Sequence, residues 1–292
     1  QSTGIGWIGT GVMGAAMCSH LLKAGHHVSV FTRTREKASG LLEAGATWCD
    51  SPGEASRAAD VVFTMVGFPD DVEEVYFSGQ GILNYARRGA ILIDMTTSRP
   101  SLARKIYLAA REKGCRSLDA PVSGGDIGAR LATLAIMAGG DPDSFEEAMP
   151  LLKLLGRTVS LMGGPGSGQH TKMANQIAIA STMVGVVEAL LYARKAGLDP
   201  EGVIDVIGTG AAASWSMNTL GRRMLKHDME PGFFIKHFVK DLAIALDEAR
   251  SMGLALPGLA LAHQFYVAAS ALGMDEKGTQ ALSKVFERIN GF

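Results

Sequence analysis

Lys172, Asn175 and Gln176 stand at i, i+3 and i+4 in the stretch Lys172-Met173-Ala174-Asn175-Gln176. In a helix those offsets project from one face. They combine a group that can take or give a proton with two neutral amides that can hold an oxygen without adding charge. A glycine-rich lead, Gly163-Gly164-Pro165-Gly166-Ser167-Gly168, runs straight into them. Oxidising a hydroxyl by hydride transfer requires removal of its proton, and reducing a carbonyl requires its supply. A lysine does both if its pKa is brought towards neutral. Lys172 falls near the start of a helical pattern, where the dipole disfavours the ammonium form, and burial would act in the same direction. The plain alternative is a solvated lysine on a helix surface. The glycine lead and the two amides weigh against it.

The second constellation lies at the start of the chain. Gly4-Ile5-Gly6-Trp7-Ile8 reads as a buried strand, Gly9-Thr10-Gly11-Val12-Met13-Gly14 follows at once, and residues 15–24 carry a helical period. This is G-x-G-x-x-G with a strand before and a helix after, the setting in which it signals dinucleotide binding. The first glycine serves the tight turn, the second the approach of backbone to a pyrophosphate, and the third the packing of helix on strand. Free N–H groups at the helix N-terminus then face the phosphates. After the next strand, residues 27–31, the chain reads Thr32-Arg33-Thr34-Arg35, and the first carboxylate is Glu36. A guanidinium pairs with a ribose 2′-phosphate where a carboxylate would repel it, so Arg33 and Thr34 favour NADP. If Arg33 only stacks on adenine, NAD serves equally well.

Strands at residues 60–66, 90–94 and 115–118 then alternate with helices, which predicts a doubly wound α/β sheet. Ligands of such sheets bind beyond the carboxyl ends of the strands. Those ends carry Met65-Val66-Gly67, Met95-Thr96-Thr97-Ser98, and Asp119-Ala120-Pro121-Val122-Ser123-Gly124-Gly125. Met65, Val66 and Thr97 are cofactor candidates. Ser123 with the N–H groups of Gly124 and Gly125 could bind a carboxylate, because glycine lets backbone come close. Further strands are expected at 133–138 and 158–161, with a helix over 142–155 between them. A single helix is expected over 167–195. Helices follow at about 200–207, 214–226, 239–252, 259–272 and 278–289, with no strand among them. We therefore expect two domains, a Rossmann-type dinucleotide-binding domain at 1–164 and an all-helical domain at 165–292, joined by the long interdomain helix.

With 292 residues, 47% hydrophobic and 20% charged, the composition is that of an ordinary globular protein. A net charge of −1 argues against nucleic-acid partners. The apolar run 177–187 is too short for a bilayer and is bracketed by Gln176 and Glu188, so no membrane partner is expected. Cys18, Cys49 and Cys115 are odd in number and far apart, which fits core positions in a reducing compartment. The histidines show no metal spacing, so no metal is expected. A strand begins almost at once, no targeting segment is visible, and a cytoplasmic location is expected.

On these motifs the chain resembles the beta-hydroxyacid dehydrogenase family, which includes 3-hydroxyisobutyrate dehydrogenase and tartronate semialdehyde reductase. Four segments carry the resemblance: Gly9 to Gly14, Asp119 to Gly125, Gly164 to Gln176, and Lys240-Asp241-Leu242. The resemblance implies that Lys172 is the catalytic acid/base, that Ser123, Gly124 and Gly125 hold the carboxylate of a small 3-hydroxy acid or its semialdehyde, and that Lys240 lies near the nicotinamide. It also implies a homodimer or homotetramer. The K-x-x-N-Q form resembles the tartronate semialdehyde reductase branch, and either Asn175 or Gln176 could touch substrate. Read plainly, Lys240 and Asp241 are a charge pair at a helix start. Phe233 and Trp215 are candidates either for the substrate pocket or for the core. Two rival functions stand: an imine-type reductase on the same fold, which usually lacks the lysine, and a non-catalytic dinucleotide-binding scaffold.

Overall fold

Short apolar runs separated by turns become, in the computed structural model, strands of one mixed sheet; the structure describes residues 2–292. The strands are β1 (Gly4–Ile8), β2 (His27–Phe31), β3 (Thr47–Trp48), β4 (Val61–Thr64), β5 (Ile91–Asp94), β6 (Arg116–Asp119), β7 (Val122–Ser123), β8 (Leu134–Gly140) and β9 (Gly156–Gly163). Their order is β3-β2-β1-β4-β5-β6-β8-β7, with β9 paired to β8. From β3 to β6 every pairing is parallel. That is the 3-2-1-4-5-6 order of a Rossmann sheet, in which the strand order reverses between β1 and β4.

Covered on both faces, β4 and β5 are buried along their whole length. The period of two then deals alternate residues to two cores. Val61, Phe63, Ile91 and Ile93 join one, and Val62 and Leu92 the other. Trp7 and Phe63 are register partners, and their rings stack at 5.3 Å.

The doubly wound pattern ends at β6. Only Ala120 and Pro121 separate β6 from β7, far short of the dozen or more residues a parallel crossover needs. Both strands instead pair antiparallel with β8. Several expected boundaries also move: β8 and β9 extend beyond 133–138 and 158–161, and the helix expected to reach 155 ends at Leu152.

The chain divides into two compact units, residues 1–172 and 173–292. The division falls inside the helix Ser167–Lys195, whose bounds match the expectation. The expected boundary at 164/165 lies in the turn before that helix.

The second unit is helical, and its described residues include only an isolated bridge, Phe234 with Gly278. Its core gathers Met183, Val186, Val187 and Leu190 from the long helix with Phe238, Leu242 and Tyr266. At 29 residues that helix is longer than the apolar run inside it, and by length and composition it could cross a bilayer. From Met173 to Leu190, its buried apolar side chains belong to this unit's core. The helix expected over 214–226 is instead a π-helical turn, Ser216–Gly221, followed by Arg222–Leu225. The one expected over 239–252 starts earlier, at Ile235. The last is a 3-10 turn, Thr279–Ala281, leading into Leu282–Ile289.

Candidate active site

The glycine turn after β1 is built as its spacing implies. Gly9 has φ +99°, and a methyl group there would collide with the Met65 carbonyl oxygen. A methyl group at Gly14 would collide with the Gly9 carbonyl, so the helix starts flush against the turn. Gly11 faces open space, with nothing within 4 Å of a methyl group built on it. The turn is further held by Trp7 Nε1, which donates to the Gly9 carbonyl at 2.8 Å. Thr10 is buried, and its Oγ1 has no hydrogen-bond partner among the described residues. An open glycine flank beside an orphaned hydroxyl fits a phosphate-bearing cofactor. Val12 and Met13 form the first turn of the helix Val12–Lys23, with Val12 exposed. At the end of β2, Arg33 is exposed and pairs with Asp71 at 3.0 Å, and Thr34 precedes a single 3-10 turn.

The ends of β4 and β5 are wired together. Thr64 Oγ1 donates to Asp94 Oδ1 at 2.9 Å, and the Thr96 N–H donates to the same oxygen at 3.1 Å. The Val66 N–H donates to Thr96 Oγ1 at 3.0 Å. Met65 is tied to β1 through its N–H and the Ile8 carbonyl, 2.8 Å. Thr96 and Ser98 are buried, and Thr97 between them is only partly so.

Asp119, at the end of β6, is the anchor of the lysine helix. Its Oδ1 accepts the Gly166 N–H at 2.8 Å and its Oδ2 the Gln169 N–H at 2.9 Å. It therefore caps, from another strand, a helix end that would otherwise leave N–H groups unsatisfied. Burial pushes its carboxyl up to about 7, against the downward pull of those two N–H groups, and neighbouring Asp94 adds to the rise. Gly168 lets the helix come this close, since a methyl group there would meet the Met137 and Asp119 carbonyls.

Lys172, one turn in, is only 7% exposed, and its Nζ donates to the Val122 carbonyl at 2.7 Å. The lysine is not the solvated surface residue of the plain reading. Val122 immediately precedes Ser123, Gly124 and Gly125. Ser123 is half-buried, and Gly124 and Gly125 have φ of +131° and +61°, a backbone that side chains resist. The first unit thus brings the buried lysine onto the strand that leads into this glycine turn.

In the second unit Gln176 is fully engaged. Its Nε2 donates to Asp241 Oδ2 at 2.7 Å, and its Oε1 accepts from Asn175 Nδ2 at 2.7 Å. Asp241, buried, also holds the Lys240 ammonium at 2.9 Å from Oδ1. The pair lies in the second turn of the helix Ile235–Ser251 rather than at its start. Asn175 is half-buried where Gln176 is buried. Phe233 is half-buried and packs edge-on against Phe238, with ring centroids 5.8 Å apart. Trp215 is 62% exposed and is no core aromatic. Burial pushes His237 down to about 4, with Lys240 adding to the fall. Sequence reasoning did not single out Asp119, Gln169 or Asp241 as site residues. A polar residue one turn before the lysine was the available signal for Gln169. Among the described residues no cluster of three His, Cys, Asp or Glu could hold a metal.

Residues 4–164 match the family model of the NAD binding domain of 6-phosphogluconate dehydrogenase. Residues 166–286 match the model described as NAD-binding of NADP-dependent 3-hydroxyisobutyrate dehydrogenase. The chain is 56% identical over 282 residues to "Uncharacterized oxidoreductase YkwC" of Bacillus subtilis, covering 97% of this chain and 98% of that protein. It is 54% identical over 291 residues to "Probable 3-hydroxyisobutyrate dehydrogenase-like 1, mitochondrial" of Arabidopsis thaliana, covering 99% and 87%. Among solved structures it resembles Mycobacterium tuberculosis 3-hydroxyisobutyrate dehydrogenase with L-serine, with TM-score 0.89, 32% identity and coverage of 98% and 99%.

Proposed function

The chain belongs to the beta-hydroxyacid dehydrogenase family of NAD(P)-dependent hydroxyacid dehydrogenases, and from that premise we propose that it interconverts a small 3-hydroxy acid and its semialdehyde, with Lys172 as the general acid/base and NADP as the preferred cofactor. The observation that carries the reading is the buried Lys172 side chain, whose Nζ donates to the carbonyl next to Ser123. It puts a proton-transfer group beside the glycine turn best suited to a carboxylate.

Bound cofactor supplies the hydride acceptor or donor. Lys172 in its amine form takes the hydroxyl proton as the C–H hydride leaves, and its ammonium returns that proton in the reductive direction. Ser123, Gly124 and Gly125 hold the substrate carboxylate. Of the two amides, Asn175 is the one we assign to the substrate oxygen, because both ends of Gln176 are already bonded within the second unit. Phe233 is assigned to the apolar wall. Gly9, Thr10, Gly11, Val12, Met13 and Gly14 take the pyrophosphate, with Met65, Val66, Thr97 and Lys240 near the remainder of the cofactor. Arg33 supports the NADP preference. Its pair with Asp71 is open to solvent on the arginine side, which leaves the guanidinium accessible to a 2′-phosphate. The serine named with the Mycobacterium tuberculosis structure is itself a 3-hydroxy acid, which supports that substrate class.

The test is absorbance at 340 nm with NADPH or NADH and a panel of small semialdehydes, on wild type and Lys172→Ala. Turnover by wild type, with most of the rate lost in the variant and cofactor binding retained, is the expected result. Tight NADPH binding with no turnover across the panel would sink the reading and favour a scaffold.

A further inference from the structure

Gln169 is wholly buried one turn before Lys172, and both ends of its side-chain amide are bonded within the first unit. Its backbone N–H goes to Asp119 Oδ2 at 2.9 Å. Its side-chain Nε2 donates to the Thr96 carbonyl at 2.7 Å, and its Oε1 accepts the Ser98 N–H at 2.9 Å. The amide therefore grips the peptide groups on both sides of Thr97. Thr96 in turn holds the Val66 N–H through its hydroxyl.

We propose that Gln169 is a positioning residue for the reaction: it latches the strand-end loop that presents Thr97 to the helical turn that presents Lys172, so that the cofactor edge and the proton-transfer group are set by one side chain. The proposal rests on the functional reading above for the roles of Thr97 and Lys172. The latch itself rests on geometry alone. Its two bonds run to main-chain atoms, and an amide satisfies both because it is a donor at one end and an acceptor at the other. A carboxylate would put an acceptor against the Thr96 carbonyl. A protonated carboxyl group would restore both bonds atom for atom.

That chemistry supplies the test. Gln169→Leu and Gln169→Glu are compared with wild type for the NADPH dissociation constant by fluorescence titration, and for kcat and KM in the 340 nm assay, from pH 6 to pH 9. The ionisable groups around position 169 are Asp119, Asp94 and Lys172, with His170 and Arg104 on the exposed side. All are present in wild type, so the ratio of variant to wild type isolates the new group. Gln169→Leu is expected to weaken NADPH binding and to lower kcat by about 10- to 100-fold, the scale of a misplacement near 1 Å. Gln169→Glu is expected to match it at pH 9 and to recover towards wild type at pH 6, because burial favours the neutral acid. Wild-type NADPH affinity and kcat in Gln169→Leu, even with a lowered melting temperature, would overturn the proposal. So would a Gln169→Glu to wild-type ratio that is flat with pH. If wild type reduces no semialdehyde, the functional reading fails, while the NADPH titrations still decide the latch.

Discussion

Two polar clusters lie on either side of Met173 in the sequence, and they are built in opposite ways. Before it, Gln169, Asp119 and Lys172 all bond to main-chain atoms: the Thr96 and Val122 carbonyls, and the N–H groups of Ser98, Gly166 and Gln169. After it, Asn175, Gln176, Asp241 and Lys240 bond side chain to side chain. A cluster that reads backbone depends on where the chain runs. A cluster that reads side chains fails when one member is exchanged, because its neighbour is left buried and unpaired.

The widest test of this contrast is at the lysine. Lys172→Ala should lower kcat by about 10²- to 10⁴-fold, the worth of a general acid/base, while NADPH titration stays near wild type. Next is Asp241→Ala, which strands the mostly buried Lys240 ammonium and the Gln176 amide. It should cost about 3–5 kcal/mol in denaturant unfolding. A loss below 1 kcal/mol would show that the cluster is not cooperative.

The two units should also part company in pH. Asp119 sits near 7 when folded, well above its ordinary value, so its protonated form favours the fold. That stability is full below about pH 4 and is lost as pH rises to 7, at about 1.4 kcal/mol per pH unit. His237, held near 4 when folded, behaves the other way, and its stability is lost as pH falls from 6.5 to 4. Asp119→Asn should flatten the first slope and His237→Asn the second, read as melting temperature against pH. A variant that leaves its slope intact would remove that residue from the account.

The smallest effects divide one motif. Gly14→Ala should cost about 1–3 kcal/mol of stability, because its methyl group meets the Gly9 carbonyl. Gly11→Ala should shift stability by less than about 0.5 kcal/mol and act on NADPH affinity instead. Equal melting temperatures for the two variants would erase the division.

Much of this was legible in the sequence where one period or one turn dominates. Strand, glycine turn and helix at residues 4–23 announce themselves by spacing, and the long helix by its apolar run and its basic end at Arg194 and Lys195. β7 was not legible, because two residues cannot show a period, and it exists only through its pairing with β8. The π-helical turn at Ser216–Gly221 carries an α-like pattern, so sequence alone reads it as an ordinary helix. Lys172 could be picked out by residue type, whereas the bonds made by Gln169 and Asp119 could not. Their partners are backbone atoms 47 to 73 residues away, and backbone leaves no letter in the sequence.

That silence has a use for engineering. Because Gln169 grips the peptide groups before and after Thr97, its hold does not depend on which side chain stands at position 97. A saturation library at position 97 would vary the side chain we assign to the cofactor without cutting the tether beneath it. A library at position 169 would mostly sample broken tethers, and one at position 96 would instead cut the hydroxyl bond to the Val66 N–H.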